Sequence, residues 1–418
     1  MRKAGILLGA AILALALMEG LLRWMEAPAL DYYRKVKLLH IYNPDYFVAL
    51  PANEDLYIRH HDGLWEGRFT TNSLGMRGSP EPDPSAPKIL CLGDSLVMGF
   101  GVSDDQTFCS RLGRESQDGA FDQKYQFMNI GVDAFGSMGS ALRMEDMVPR
   151  LKNVSAVLFV ISPNDFTMPP ELAERGMEPD DVIDARRMND EAYKLSFHIQ
   201  FELTRYSYAL QAAKLAYENL LIKRSITEES VRSEINEAGL SGKDAPNLAK
   251  TSQYLVGSFT GPVRDRCQLS KSKEKPLIQC PQPIPQGVQC MDGPPPADSL
   301  EPLPEFTQKA YTRMIAYAKA NGFRLIPVIL PMQVEEIFCH NQGKYHPLGN
   351  YALRASKYFE DRGVSVMQLQ DDLDQMCTPR HGIRDFFIPK DGHLTDIGNQ
   401  WATQSIAKRL PAFMKGNR

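Results

Sequence analysis

The sequence predicts an α/β fold, a doubly wound parallel sheet with helices on both faces. Apolar runs of strand length recur at Lys88–Leu92, Val154–Ile161 and Phe323–Leu330, and Val154–Ile161 is apolar at nearly every position, as a strand buried on both faces must be. Stretches of helical period alternate with these runs, the pattern of βαβ units. The composition, 43% apolar and 23% charged over 418 residues, suits a globular chain and excludes a disordered or polytopic membrane protein. A net charge of −4 offers no basic surface, so no nucleic-acid partner is expected.

The chain opens with Arg2 and Lys3 before an apolar run from Ala4 to Met18 that extends through Leu22 if Glu19 is tolerated near the far interface. That is about 19 residues, close to the length of a spanning helix. As a signal anchor it would hold the chain at the membrane, N-terminus in; as a signal peptide it would be cleaved near Ala14-Leu15-Ala16. Either reading of residues 1–24 sends the rest out of the cytoplasm. Residues 25–85 read as an irregular lead-in with short strands, in which His60 and His61 are exposed polar residues, followed by the proline-bearing linker Ser79–Pro87.

The first part of the core spans 86–165. A strand at Lys88–Leu92 runs into the turn Gly93-Asp94-Ser95-Leu96, and a helix begins near Asp105. Tyr125–Ile130 is a second strand, followed by a glycine-bearing loop to Gly139, a helix over 139–151 and the strand Val154–Ile161. Residues 166–304 are an insertion. Glu191–Lys223 has helical period; residues 276–304 hold nine prolines with Cys280 and Cys290, which excludes regular structure and suggests a disulfide-tethered excursion or a flexible loop. The second part of the core, 305–418, resumes with a helix at Glu305–Asn321, the strand at Phe323–Leu330, a helix at Asn350–Asp361, a strand at Val364–Leu369 and a closing helix at Thr395–Met414.

The cysteine count is seven. Outside the cytoplasm disulfides are expected. Cys91, inside an apolar strand, reads as the buried free thiol, which leaves Cys109, Cys267, Cys280, Cys290, Cys339 and Cys377 for three bridges whose pairing stays open. No spacing resembles a zinc motif, so no metal is expected.

In an open parallel sheet, chemistry sits at the carboxyl ends of the strands. Ser95 follows the first strand at a turn into a helix, where its hydroxyl is presented and its own N–H faces developing negative charge. Asn164-Asp165 follows the strand ending at Ile161, and an Asn amide at that height donates to an oxyanion. Asp391-Gly392-His393 precedes the last helix: His393 supplies a general base, and Asp391 orients it. His40, His198, His340, His346 and His381 carry no motif; of these, His346 and His381 lie in loops with reach to the active edge.

The matches KILCLGDSLVMGFGV at 88–102, MNIGVDAFGSMGS at 128–140, VLFVISPND at 157–165 and DGHLTDIGNQWATQSIAKRL at 391–410 resemble the SGNH, or GDSL, hydrolase superfamily, and TTNSLGMRG at 70–78 is similar to the lead-in of membrane-anchored or secreted bacterial members. The resemblance covers about 86–165 and 305–415. It implies a three-layer α/β/α flavodoxin-like sandwich and a serine esterase with no cofactor. It makes Ser95 the nucleophile, His393 the base and Asp391 its acid, with Asp385 and Asp396 as weaker alternatives; Asp94 organises the turn. The Ser95 N–H and the Asn164 side chain would donate to the oxyanion, with Ala134 aligned to the family's second-block glycine and Gly131 and Gly136 nearby. Two further departures are Ser162-Pro163 in place of the usual glycine, and Asp-x-His spacing like that of the alginate O-acetyltransferase-like branch. The implied substrate is an acyl ester or an acylated carbohydrate. O-acyl transfer to an exported glycan is the alternative to hydrolysis, and a non-catalytic membrane scaffold, with a protein partner on the insertion, is the rival class.

Overall fold

The computed structural model describes residues 2–25, 28–43, 45–132, 136–166, 195, 203–225, 277–331, 334–389 and 391–415. The chain divides into two compact units, one of residues 1–40, 58–64 and 191–271, the other of 41–57, 65–190 and 272–418.

In the first unit, α1 (Arg2–Met25) is the apolar N-terminal run, with a mean hydropathy of 2.2 over Gly5–Met25 and none of that window buried. α2 (Pro28–Leu38) follows where an irregular lead-in is expected. Its signals are present in the sequence: Pro28 at the first helical position, Asp31 in the first turn, Lys35 and Lys37 in the last. His60 and His61 are not exposed polar residues. His60 is buried, and the two imidazoles stack on each other 4.3 Å apart against Tyr32 and Tyr33. The aromatic rings of α2, invisible to local sequence reading, bury them.

The second unit carries short lead-in strands and then the core. Its sheet consists of β1 (Lys88–Leu92), β2 (Gln126–Asn129), β3 (Val154–Ile161), β4 (Arg324–Ile329) and β5 (Met367–Gln368). All neighbours are parallel, in the order β2-β1-β3-β4-β5. This is the doubly wound flavodoxin-like order, with its switch point between β1 and β3. The α/β fold is thus as the sequence predicts.

Between the strands lie α3 (Ser95–Met98), α4 (Phe108–Gln117) and α5 (Ser137–Arg150). The insertion contributes α6 (Tyr208–Ser225) to the first unit. The second half adds α7 (Glu305–Asn321), α8 (Val334–His340), α9 (Asn350–Glu360) and α10 (Asp396–Lys415). Alternate strand residues feed two cores. Ile89, Cys91, Leu158 and Val328 pack with Phe108 and Leu112 of α4 and Trp401 and Ile406 of α10. Leu90, Leu92, Phe159 and Ile329 pack on the other face with Met144 of α5, Tyr311 of α7 and Phe359 of α9. Successive side chains on a strand point to opposite faces, so an all-apolar strand serves both layers.

The Pro-rich arm is tethered: Cys280 bonds Cys377 and Cys290 bonds Cys339 of α8. Cys91 is buried but not free, and here the expectation fails. It bonds Cys109 of α4, with the two Cα atoms 6.2 Å apart. Apolar flanks report that a cysteine is buried, and the partner comes from the facing helix. Cys267 lies outside the described residues, as do Glu191–Lys194 and His198.

Candidate active site

β1 ends in a turn that only this local sequence makes compact. A Cβ on Gly93 would lie 2.6 Å from Val97 Cγ2 and 3.2 Å from the Val160 carbonyl oxygen, so the strand approaches α3 and β3 too closely for a side chain. Asp94 then caps α3: one carboxylate oxygen accepts the Leu96 N–H at 3.0 Å. Its other oxygen accepts the Ser162 hydroxyl at 2.7 Å, while the Ser162 N–H donates to Asp165 at 3.0 Å. Ser162 therefore ties the loop after β3 to the loop after β1 across the switch point. This bridge was hidden in the sequence, where Ser162 stood only as a departure from a family glycine.

Burial pushes the Asp165 carboxyl well above the usual carboxylate range, against the Ser162 hydrogen bond that lowers it. Asp165 is a loop-building group, and its main-chain oxygen accepts the Thr307 hydroxyl at 2.6 Å. Behind the turn, Asn129 donates to the Val97 carbonyl at 2.7 Å and accepts the Gly131 N–H at 3.0 Å.

Ser95 sits at the first position of α3 and is 8% exposed. Its Oγ is 2.7 Å from His393 Nε2, across 298 positions of sequence. His393 Nδ1 contacts Asp391 Oδ1 at hydrogen-bonding range. The acid and the imidazole are two residues apart, and Gly392 between them has φ +83°, which folds the carboxylate back onto its neighbour's ring. The loop is pinned by the Ile388 N–H donating to the His393 carbonyl at 2.7 Å and by the Phe387–Leu394 bridge. The structure thus brings Ser95, His393 and Asp391 into one row.

The alternative acids are engaged elsewhere: Asp385 accepts the Gly382 N–H, and Asp396 pairs with Arg111. Asn164 lies in the short 3₁₀ turn Pro163–Phe166 after β3; its side chain, like all of Ala134, falls outside the described residues. Gly131 packs under α3, where a Cβ would be 2.5 Å from the Met98 nitrogen; Gly136 begins the cap of α5.

Three residues complete the surroundings without having been singled out. The Phe100 ring lies 5.2 Å from that of His393, and Trp65 meets Phe100 edge-on at 5.0 Å, a half-buried aromatic wall beside His393. Arg77, fully buried, donates to the carbonyls of Met98 and Gly99 that end α3 and to Val102, and pairs with Asp104 at 3.0 Å. Burial lowers its guanidinium to about 10, which leaves it charged. The signal for Arg77 was the lead-in match at 70–78 and for Phe100 the match at 88–102; for Trp65 there was none.

Two of the other histidines hold turns. His346 Nδ1 accepts the Leu348 N–H, and His381 closes a turn with Thr378. Among the described residues, His60, His61 and Asp62 form a cluster of metal-ligating type. They already bond one another, with the Asp62 N–H on His60 Nδ1 and Asp62 Oδ1 on His61 Nδ1, both at 3.1 Å.

No protein-family model and no curated protein matches the chain. Among solved structures it is similar to an acetyl xylan esterase, over 77% of this chain and 99% of that one, at 14% identity and a TM-score of 0.36. Likeness at that level leaves family and activity to be argued from the residues themselves.

Proposed function

We propose that the chain is a serine esterase of the SGNH type, held at the membrane by α1 and working outside the cytoplasm. The observation that carries this reading is the row Ser95 Oγ, His393 Nε2 and Nδ1, Asp391 Oδ1, set at the switch point of a parallel sheet. His393 takes the Ser95 proton as Oγ attacks the ester carbonyl. Asp391 holds the imidazole in the tautomer with the proton on Nδ1 and stabilises the imidazolium. The oxyanion is met by the Ser95 N–H, the Asn164 amide and a main-chain N–H of the Gly131–Gly136 loop, where Ala134 stands. Collapse expels the alcohol, which leaves with the proton from His393. Water, deprotonated by the same base, then releases the acid and restores Ser95.

A sugar hydroxyl in place of that water makes the same enzyme an O-acyltransferase. The Trp65–Phe100 wall beside the base favours an acylated carbohydrate, because an indole face covers the apolar face of a sugar ring. The disulfides support an oxidising compartment.

The test is labelling with a fluorophosphonate. The parent should label, and Ser95→Ala and His393→Ala should not, with ester turnover falling roughly 10³–10⁶-fold in each. Undiminished turnover in Ser95→Ala overturns the mechanism, and a parent that neither labels nor turns over esters points to the scaffold reading. Product acylation without net hydrolysis, when an alcohol acceptor is added, assigns transfer.

A further inference from the structure

The α6 helix is inverted for a soluble protein. Its inward positions include polar groups, with Gln211 and the preceding Thr204 buried beside Ala209 and Leu215. Among the described side chains, the exposed positions of α6 and of the turn before it are Leu203, Tyr206, Leu210, Ala213, Ala216 and Tyr217. Leu203, Tyr206, Leu210 and Tyr217 are 45–66% exposed; Leu210 and Tyr217, seven apart, share one face of α6, while Leu203 and Tyr206 belong to the short turn that the extended Ser207 separates from it, with the Arg205 guanidinium 5.6 Å over the Tyr206 ring.

These positions have a fixed place relative to α1. Glu19, near the end of the apolar run, accepts the Ser207 hydroxyl at 2.8 Å and the N–H groups of Tyr208 and Ala209 at 3.1 and 2.8 Å, so it caps α6. Arg23 bonds Glu19 at 2.7 Å and the Tyr206 carbonyl at 2.6 Å. A carboxylate that would be costly on an apolar span is thereby matched by the positive end of a helix and a guanidinium. α6 begins where α1 reaches the interface, the level at which Trp24 stands 81% exposed.

We propose that α6 and the turn before it lie in the lipid interface, with Leu203, Tyr206, Leu210 and Tyr217 immersed among the headgroups and upper acyl chains. The occupant of this surface is the bilayer. Exposed leucine and tyrosine side chains beside an exposed apolar span suit the interface level, where amphipathic aromatic rings anchor. The insertion is then a second membrane contact. The inference rests on α1 being a membrane anchor.

The test uses the full-length protein in vesicles of phosphatidylcholine with or without bromine on the acyl chains. Bromine quenches only tryptophans in contact with lipid. The native Trp24 reads the anchor. Leu210→Trp and Tyr217→Trp, each on a Trp24→Phe background, read α6, and unchanged fluorophosphonate labelling shows that the variants are folded. Trp65 and Trp401 remain in every variant, so each position is read as the difference from the Trp24→Phe protein, and we expect the emission added at 210 and at 217 to be quenched by the brominated chains. If Trp24 is quenched and positions 210 and 217 are not, the anchor stands and the α6 inference falls. Blue-shifted but unquenched emission at 210 and 217 means a protein surface, such as a second copy, covers those positions, and also overturns the inference. An unquenched Trp24 removes the anchor, and this inference with it.

Discussion

At Gly392 a single backbone angle sets whether Asp391 reaches His393. Nothing lies within 4 Å of a Cβ built there, so the demand for glycine is conformational and not steric. Replacement by alanine strains φ +83° by about 1 kcal/mol and swings Asp391 away from His393. Gly392→Ala should stay folded, with kcat lowered by roughly 10- to 100-fold and KM little changed; steady-state kinetics beside a melting curve check this. An unchanged kcat would show that the Asp391–His393 contact does not depend on the tight turn. The three side chains of the row were legible because each sits in a short motif after a strand or before a helix. The contacts of Phe100, Trp65 and Ser162 were not, even though Phe100 and Ser162 lie in quoted motifs, because those contacts arise only when separate loops meet.

At the scale of elements, the lead-in is a buttress for the helix that carries Ser95. α3 is four residues long and cannot hold itself. Arg77 gathers the carbonyls at its end and stacks over Phe69, 4.1 Å from the ring. Arg77→Met leaves those carbonyls and Asp104 without their partner. It should cost about 3–5 kcal/mol in urea unfolding, the range for breaking a buried ion pair. Arg77→Lys should recover little of it, because an ammonium cannot spread its donors as the planar fork does. A loss below 1 kcal/mol would leave the buttress without weight. Helix α2 teaches the same lesson in reverse: its proline, acid and lysines were readable end signals. Its three buried residues (Ala29, Leu30 and Tyr32) give too short an apolar stripe for periodicity to register.

For the whole second unit, a parallel sheet with helices on both faces follows from buried strands alternating with helices and was legible in the sequence, whereas the strand order was implied only by the family resemblance. Val154–Ile161 is a strand at the bounds read from its apolarity, whereas Val364–Leu369 shrinks to Met367–Gln368, an edge that pairs on one side only. The pH response of stability was not legible, since it depends on which acids the fold buries. Burial raises Glu336 of α8 to about 7. Below about 4.5 it is protonated folded and unfolded alike. Between about 4.5 and 7 the unfolded chain releases that proton and the folded chain keeps it, so stability falls as pH rises, by up to ~3 kcal/mol. Asp165 acts in the same direction. Glu336→Gln should therefore match the parent at pH 4.5 and exceed it at pH 8, with a flatter melting profile between. Parallel profiles would show that Glu336 ionises in the folded state.

The Cys91–Cys109 bond has an analytical consequence as well as a structural one. No lysine or arginine lies between Ile89 and Ser110, so trypsin releases Cys91, Ser95 and Cys109 on one peptide that ends at Arg111. In the oxidised protein that peptide is a ring with Ser95 inside it. Breaking one backbone bond within the ring frees no fragment, and an adduct on Ser95 is weighed but not located. Reduction opens the ring, adds two hydrogens and makes the adduct assignable. One digest, read before and after reduction, thus reports both the occupancy of Ser95 and the oxidation state of the strand that carries it.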